Sequence, residues 1–202
     1  MNSILFDNKK VTPSKVVCIG RNYVEHIKEL GNETPSQMVI FNKPNSAVTN
    51  ELKYFSKTHR YEGELCYLIQ NSKITGIGFG LDLTNKEAQE YAKAKGLPWE
   101  RAKAFDGSAV FSQFVSFDGN LEDLSFKLWI NSELKQVGSY DLMIYKPKDI
   151  LKEIQSFMSL EDGDIIMSGT PKGVGSYQKG DIFEAKIYEN EKEILACKFV
   201  VS

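Results

Sequence analysis

The sequence predicts a β-rich α+β domain, on three observations. Short runs rich in Val, Ile, Phe and Tyr, bounded by Gly, Asn, Asp and Pro, recur along the 202 residues. Helical periodicity is confined to three segments. Strand-like and helix-like runs do not alternate strictly, which argues against a doubly wound parallel sheet. In chain order, KVVCIG (15 to 20) opens as a strand. NYVEHIKELG then places Val24, Ile27 and Leu30 at helical spacing and closes on Gly31, a C-terminal cap. MVIFNK (38 to 43), ELCYLI (64 to 69) and GIGFGLDL (76 to 83) follow as strands. TNKEAQEYAKAKGLP reads as a helix that opens on Thr84, with Glu87 three residues later as a capping box, and stops at Gly96 before Pro98. FKLWIN (126 to 131) is the next strand. KPKDILKEIQSFMSL is a third helix with Ile150, Ile154, Phe157 and Met158 on one stripe, and DIIMSG, DIFEAKIY and ILACKFVV end the series as strands. With no repeat and no low-complexity linker, residues 1–202 are expected to form a single domain.

Composition narrows the function classes. The chain is 42% hydrophobic and 11% aromatic, enough to bury a sizeable core. A formal net charge of -2, with scattered lysines, gives no reason to expect a nucleic-acid or anionic-membrane partner. No apolar run approaches a membrane span, and MNSILFDNKK lacks the basic-then-apolar layout of a signal peptide, so a cytoplasmic location is expected. Cys18, Cys66 and Cys197 are odd in number, far apart and without a CxxC, which argues against a disulfide framework or a cysteine zinc site. Two glycine patterns resemble phosphate loops only superficially. GIGFG lacks GxGxxG spacing and runs into another strand, and GTPKGVG carries Pro171 and the wrong spacing for a P-loop. The second reads as a tight loop whose N–H groups and Thr170 hydroxyl can meet a carboxylate, or as a turn and nothing more.

The acids carry the chemistry. In RYEGELCYLIQ, strand alternation sends Glu62 and Glu64 to the same side. Two such carboxylates, if shielded, need a basic side chain, a shared proton or a hard divalent cation; on a solvated edge they cost little. Asp82, at the end of GIGFGLDL, is the next acid in a comparable setting. Three carboxylates with almost no histidine suit Mg²⁺, Mn²⁺ or Ca²⁺ and suit Zn²⁺ or Cu²⁺ poorly. An anionic substrate there also needs a cation, for which Arg21 and Lys103 are candidates, though either serves equally as a surface ion pair. His26 and Glu29, three apart, share a helix face. That pair is either an exposed i, i+3 contact or a carboxylate that fixes an imidazole for acid–base work. His59 has no assigned role.

GRNYVEHIKELGNETP, VIFNKPNSAV, YEGEL, GFGLDLTNKEAQEYAKAKGLPWERAKAFDGSA and LEDGDIIMSGTPKGVG together resemble the fumarylacetoacetate hydrolase family, in the order and rough spacing seen there. The likeness spans roughly residues 15 to 200 and is nearest the small single-domain branch, the acylpyruvate hydrolase and oxaloacetate decarboxylase type. It implies a mixed β-sandwich roll with a few peripheral helices, assembled as a homodimer around Mg²⁺ or Mn²⁺, with Ca²⁺ as a substitute. By the family's motifs Glu62, Glu64 and Asp82 take the metal-ligand positions. His26 and Glu29 fall on a catalytic pair carried by a mobile lid helix within residues 21–35. Lys103 matches an active-site lysine, Gln89 a glutamine facing the substrate, Thr170 the threonine of a carboxylate-binding loop and Arg21 the arginine near the lid hinge. The implied activity is hydrolytic C–C cleavage of an acylpyruvate-type 2,4-dioxo acid through a pyruvate enolate. Decarboxylation of oxaloacetate and keto–enol tautomerisation of a 2-oxo acid are the alternatives, and a non-catalytic oxo-acid binding protein is the alternative of another class. Two departures stand out. Lys86 replaces an arginine that relatives commonly carry after Asp-x-Thr, which exchanges a bidentate contact for a point charge. In FDGSAV an expected proline is absent, with Ala109 and Val110 in its place.

Overall fold

The structure is a computed structural model; it describes residues 1–29 and 37–202, without the side chains of residues 26–28. The strands that build it are β1 (Lys15–Gly20), β2 (Val39–Pro44), β3 (Val48–Thr49), β4 (Gly63–Gln70), β5 (Lys73–Asp82), β6 (Ala109–Phe111), β7 (Leu124–Ile130), β8 (Glu133–Ser139), β9 (Ile165–Met167), β10 (Ile182–Glu189) and β11 (Lys192–Val200). The helices are α1 (Val24–Glu29), α2 (Lys86–Lys95), α3 (Glu100–Lys103) and α4 (Pro147–Gln155). The larger sheet runs β2-β1-β9-β4-β5-β6-β3 and nearly closes on itself. It is antiparallel except where β9 pairs β1 and β6 pairs β3. The smaller sheet, β8-β7-β10-β11, is antiparallel throughout. This is the β-rich α+β architecture that the sequence predicts.

Strand β4 shows why its run reads as continuously apolar. Leu65, Tyr67 and Ile69 join a core shared by both sheets, with Phe126, Leu128 and Phe183. Cys66 and Leu68, on the other face, join a second core with Val16, Cys18, Phe111 and Met167. A strand covered on both faces loses its polar alternation. Glu64 belongs to the same row as Cys66 and Leu68, so it is carried into the interior by the strand's own period.

The GIGFG stretch lies inside β5, and packing explains its glycines. A Cβ on Gly78 would sit 2.8 Å from the Phe114 ring, and one on Gly80 would sit 2.6 Å from Cys66 Sγ. The bare backbone lets aromatic rings lie against this face, while Ile77, Phe79 and Leu81 fill the opposite core.

Helix boundaries depart from expectation for local reasons. Asn85 caps α2, its side chain accepting from the Ala88 N–H at 3.2 Å. Thr84 instead bridges Arg60 and commits its hydroxyl elsewhere. Gly96 closes α2 in the left-handed region, as expected. Helix α4 ends at Gln155, which leaves Phe157 59% exposed, whereas Ile150 and Ile154 are buried. Val24 on α1 is exposed too. Leu30 and Gly31 lie outside the described residues, as do residues 30–35 of the expected lid.

Asp164 anchors β9 to the start of β1. Its carboxylate accepts from the Ser14 N–H and hydroxyl at 2.8 and 2.7 Å, the Lys15 ammonium at 2.6 Å and the Glu161 N–H at 2.9 Å. Burial works to raise its pKa, but Lys15, the Glu161 N–H and Ser14 outweigh burial and hold it below the usual carboxylate value. A depressed folded pKa gives stability that is present above the unfolded value and lost as pH falls through the folded one. Asp164→Asn is therefore expected to lose about 2 kcal/mol at neutral pH. In urea melts across pH, its deficit relative to wild type should shrink below about pH 4; a deficit that stays constant into acid would exclude the ionic contribution.

Candidate active site

The site grows from one cross-strand juxtaposition. Glu62 and Glu64 are two residues apart at the start of β4, and the Asp82 N–H at the end of β5 donates to the Glu62 carbonyl at 2.9 Å. Glu64 pairs with Gly80. The shared strand face then brings all three side chains together, with one carboxylate oxygen from each lying within 4.8 Å of the others. Glu64 and Asp82 are 2% and 1% exposed, and Glu62 is partly exposed.

Two lysines and a threonine complete the cluster. Lys103 Nζ, from the end of α3, donates to Glu62 Oε2 at 3.0 Å, Asp82 Oδ2 at 2.7 Å and Thr84 Oγ1 at 2.6 Å. Thr84 Oγ1 donates in turn to Glu62 Oε1 at 2.7 Å. Lys43 is fully buried on β2, with its Nζ 2.8 Å from Asp82 Oδ1. That ammonium also donates to the Lys103 carbonyl, and to the Ser108 carbonyl and hydroxyl at 3.1 Å each. Asp82 Oδ1 makes the ion pair without a well-formed hydrogen bond. Glu64 differs from both neighbours. Its Oε2 accepts from the Gly169 N–H at 2.7 Å, and among the described residues no ammonium or guanidinium lies within ion-pair distance of it.

The charges follow this geometry. Burial pushes the Glu64 carboxyl well above its usual range, Asp82 and Glu62 push it further, and the Gly169 N–H and Lys103 only partly oppose them. For Asp82 burial also acts upward, but Lys103 and Lys43 outweigh it and hold the carboxyl down. Burial would lower Lys103; Asp82 and Glu62 more than reverse this, so its ammonium stays charged. An all-oxygen donor set that includes a buried carboxylate without a cationic partner fits a hard divalent cation. Glu62, Glu64 and Asp82 are the residues that would hold it.

The remaining candidates are placed as follows. His26 lies on α1, and its side chain is outside the described residues. The Glu29 carboxylate accepts from the Gly173 N–H at 3.1 and 3.2 Å, and Glu25 pairs with Lys172 at 3.7 Å, so α1 rests on the GTPKGVG loop. Gly173 is required there: its φ is +99°, and a Cβ would sit 2.1 Å from the Lys135 carbonyl. Thr170 is buried; its hydroxyl donates to the Gly63 carbonyl and accepts from Gln136 Nε2, both at 2.9 Å. The hydroxyl is thus engaged in holding the loop to β4 and β8. Gln89 is partly buried on α2. Arg21 takes a left-handed φ of +57° where β1 turns into α1, a conformation costly for a residue with a Cβ.

Lys43 and Thr84 are the participants that sequence reasoning missed. A signal existed for Lys43: Val39, Phe41 and Lys43 alternate on one face of MVIFNK, which points the lysine inward. Thr84 had no comparable signal, because a threonine before a helix is most simply a cap.

Fold and cluster define a β-rich protein with an all-carboxylate centre across two paired strands. Residues 15–201 match the family described as fumarylacetoacetate (FAA) hydrolase C-terminal, and the chain belongs to the fumarylacetoacetate hydrolase family. Oxaloacetate tautomerase YcgM of Escherichia coli is 37% identical over 188 residues, covering 83% of this chain and 85% of that protein. The mitochondrial oxaloacetate tautomerase FMP41 of Saccharomyces cerevisiae is 34% identical over 235 residues, covering 92% and 91%. The crystal structure of fumarylpyruvate hydrolase from Pseudomonas aeruginosa, in complex with Mn²⁺ and pyruvate, superposes with a TM-score of 0.87 at 28% identity, covering 99% of this chain and 95% of that one. Among the described residues no helix is long and apolar enough to cross a membrane.

Proposed function

We propose that the protein is a divalent-cation-dependent tautomerase that interconverts the keto and enol forms of oxaloacetate or a closely related 2-oxo acid. The observation that carries this reading is the Glu62, Glu64 and Asp82 cluster, with the charged Lys103 bonded into it, in a chain 37% identical to an oxaloacetate tautomerase. The names of the relatives favour tautomerisation over the C–C hydrolysis that the sequence first suggested. Mg²⁺ or Mn²⁺ bound by the three carboxylates would supply a Lewis acid for the carboxylate and 2-oxygen of a 2-oxo acid.

Tautomerisation moves one proton: a C–H bond breaks at C3 and an O–H bond forms at the 2-oxygen. Lys103, kept protonated by Asp82 and Glu62, is unsuited to take the C3 proton and suited to balance negative charge growing on oxygen. We assign the proton transfer to His26, with Glu29 fixing its helix on the glycine loop through the Gly173 N–H. Gln89, Arg21 and the Thr170 loop are assigned to substrate contact. The homodimer remains part of this reading, and sedimentation velocity reads it directly.

The test follows the decay of oxaloacetate enol absorbance with Mn²⁺-loaded protein. Wild type should accelerate it, and His26→Ala should retain the metal while losing about 10²- to 10⁴-fold in rate. An unchanged rate in His26→Ala would remove the histidine from the mechanism. A second reading, hydrolysis, has the fumarylpyruvate hydrolase likeness behind it. Acetate and pyruvate appearing in NMR spectra of acetylpyruvate, at rates above those for oxaloacetate tautomerisation, would make hydrolysis the main activity.

A further inference from the structure

Beside the carboxylate centre, two neighbouring aromatic rings lie between two lysines. Lys103 Nζ lies 5.1 Å from the centroid of Phe41. The Phe41 and Trp99 rings are 5.8 Å apart and tilted by 58°. Lys93 Nζ, from the last turn of α2, lies 5.4 Å from the centroid of Trp99. The two ends of this row are unlike. Lys103 is bonded to two carboxylates, whereas among the described residues no carboxylate lies within ion-pair distance of Lys93. The acid best placed to pair with it, Glu90, one helical turn earlier, is instead engaged by Lys86 at 3.5 Å.

Among the charges acting on Lys93, Arg21 has the largest effect. The Lys93 pKa is lowered, first by the partial burial of its ammonium end and then by Arg21, with Lys103 adding to the effect and Glu62 and Glu90 opposing it. A lysine placed over a ring, with no carboxylate of the described residues at ion-pair distance, is open to an anion that the chain does not supply. The face of α2 that carries it also carries Gln89, four residues earlier.

Charge at the centre says which anion. Three carboxylates there face two ammonium groups, from Lys43 and Lys103, and would face a divalent cation once one is bound. The total leaves one positive charge, which a single carboxylate neutralises. A second carboxylate on the same ligand finds no cation left in the centre.

We propose that Lys93, held over Trp99, receives the second carboxylate of a 2-oxo dicarboxylic acid whose 2-oxo carboxylate end occupies the Glu62, Glu64 and Asp82 centre. This rests on the function proposed above and deepens it, since it makes Lys93 the residue that selects dicarboxylates over monocarboxylates.

The test compares oxaloacetate with 2-oxobutyrate, which carries a methyl group in place of the second carboxylate. Binding to Mn²⁺-loaded protein is read from water-proton relaxation within seconds of mixing, for wild type, Lys93→Met and Lys93→Arg. Lys93→Met should weaken oxaloacetate about tenfold and leave 2-oxobutyrate unchanged, and Lys93→Arg should retain most of the oxaloacetate affinity. Equal weakening of both ligands in Lys93→Met would mean that Lys93 only supports the fold through Trp99, and would overturn the proposal. So would unchanged binding of both, or no binding of either ligand to wild type. The two readings fail separately. A wild type that binds with this pattern but does not tautomerise oxaloacetate loses the proposed activity and keeps the subsite; a tautomerase indifferent to Lys93→Met does the reverse.

Discussion

Replacing Glu64 with glutamine is expected to weaken Mn²⁺ binding by more than about 100-fold in a calorimetric titration, because the loss of groups that merely orient metal ligands already costs 10- to 100-fold. Glu64 is singled out by its partners. Lys103 and Lys43 already balance Asp82 and Glu62, so the buried Glu64 carboxylate supplies the negative charge that a cation would answer. Glutamine keeps the shape, and its amide oxygen can still accept from the Gly169 N–H. The metal-free variant should therefore melt no lower than wild type, since burial and its two acidic neighbours make the Glu64 charge unfavourable when no cation is bound. The sign of the pH effect follows. With a carboxyl held well above its usual range, a cation must displace a proton, so wild-type Mn²⁺ affinity should fall as pH is lowered. Unchanged Mn²⁺ affinity in Glu64→Gln would sink the assignment of the centre.

How much of this site could be read from the chain depended on range. The same-side placement of Glu62 and Glu64 is a property of any extended segment and needed only the period of two. Asp82 was legible as an acid closing an apolar run, although its position opposite Glu62 is set by β4–β5 register. Lys43 was harder: its inward direction follows from alternation in MVIFNK, but its target lies on β5, which is not a neighbour of β2 in the sheet. Thr84 shows competition between local and tertiary demands. As a cap it would satisfy one N–H of α2, yet Asn85 does that, and the Thr84 hydroxyl instead bonds to Glu62 and Lys103. Phe157 failed for a simpler reason, since the helix ends two residues before it and the periodic stripe has no helix left to act on. In the GIGFG stretch the close contacts of Gly78 and Gly80 with Phe114 and Phe111 depend on residues more than thirty positions later in the chain.

The second large effect is expected at Lys103, where stability and function can be separated in one variant. Lys103→Met removes an ammonium bonded to Asp82, Glu62 and Thr84 and leaves a fully buried aspartate with Lys43 alone. Breaking a buried pair by deleting one partner typically costs about 3–5 kcal/mol, because the remaining charge stays buried. For a chain of this length, that is a fall in Tm of roughly 10 °C in metal-free protein. A divalent cation can supply the missing positive charge, so adding Mn²⁺ should raise the Tm of Lys103→Met more than that of wild type, by binding the folded state alone. Activity should not return with it. The cation restores charge balance among the carboxylates, but the ammonium to which we assign the developing oxygen charge is gone, and on that assignment a loss of about 100-fold in rate should persist at saturating Mn²⁺. A variant that melts like wild type without metal would mean that the Lys103 bonds contribute little to the fold. One that recovers full rate with Mn²⁺ would make Lys103 a counter-ion of the empty site and nothing more, and the oxygen charge would then have to be met by another donor.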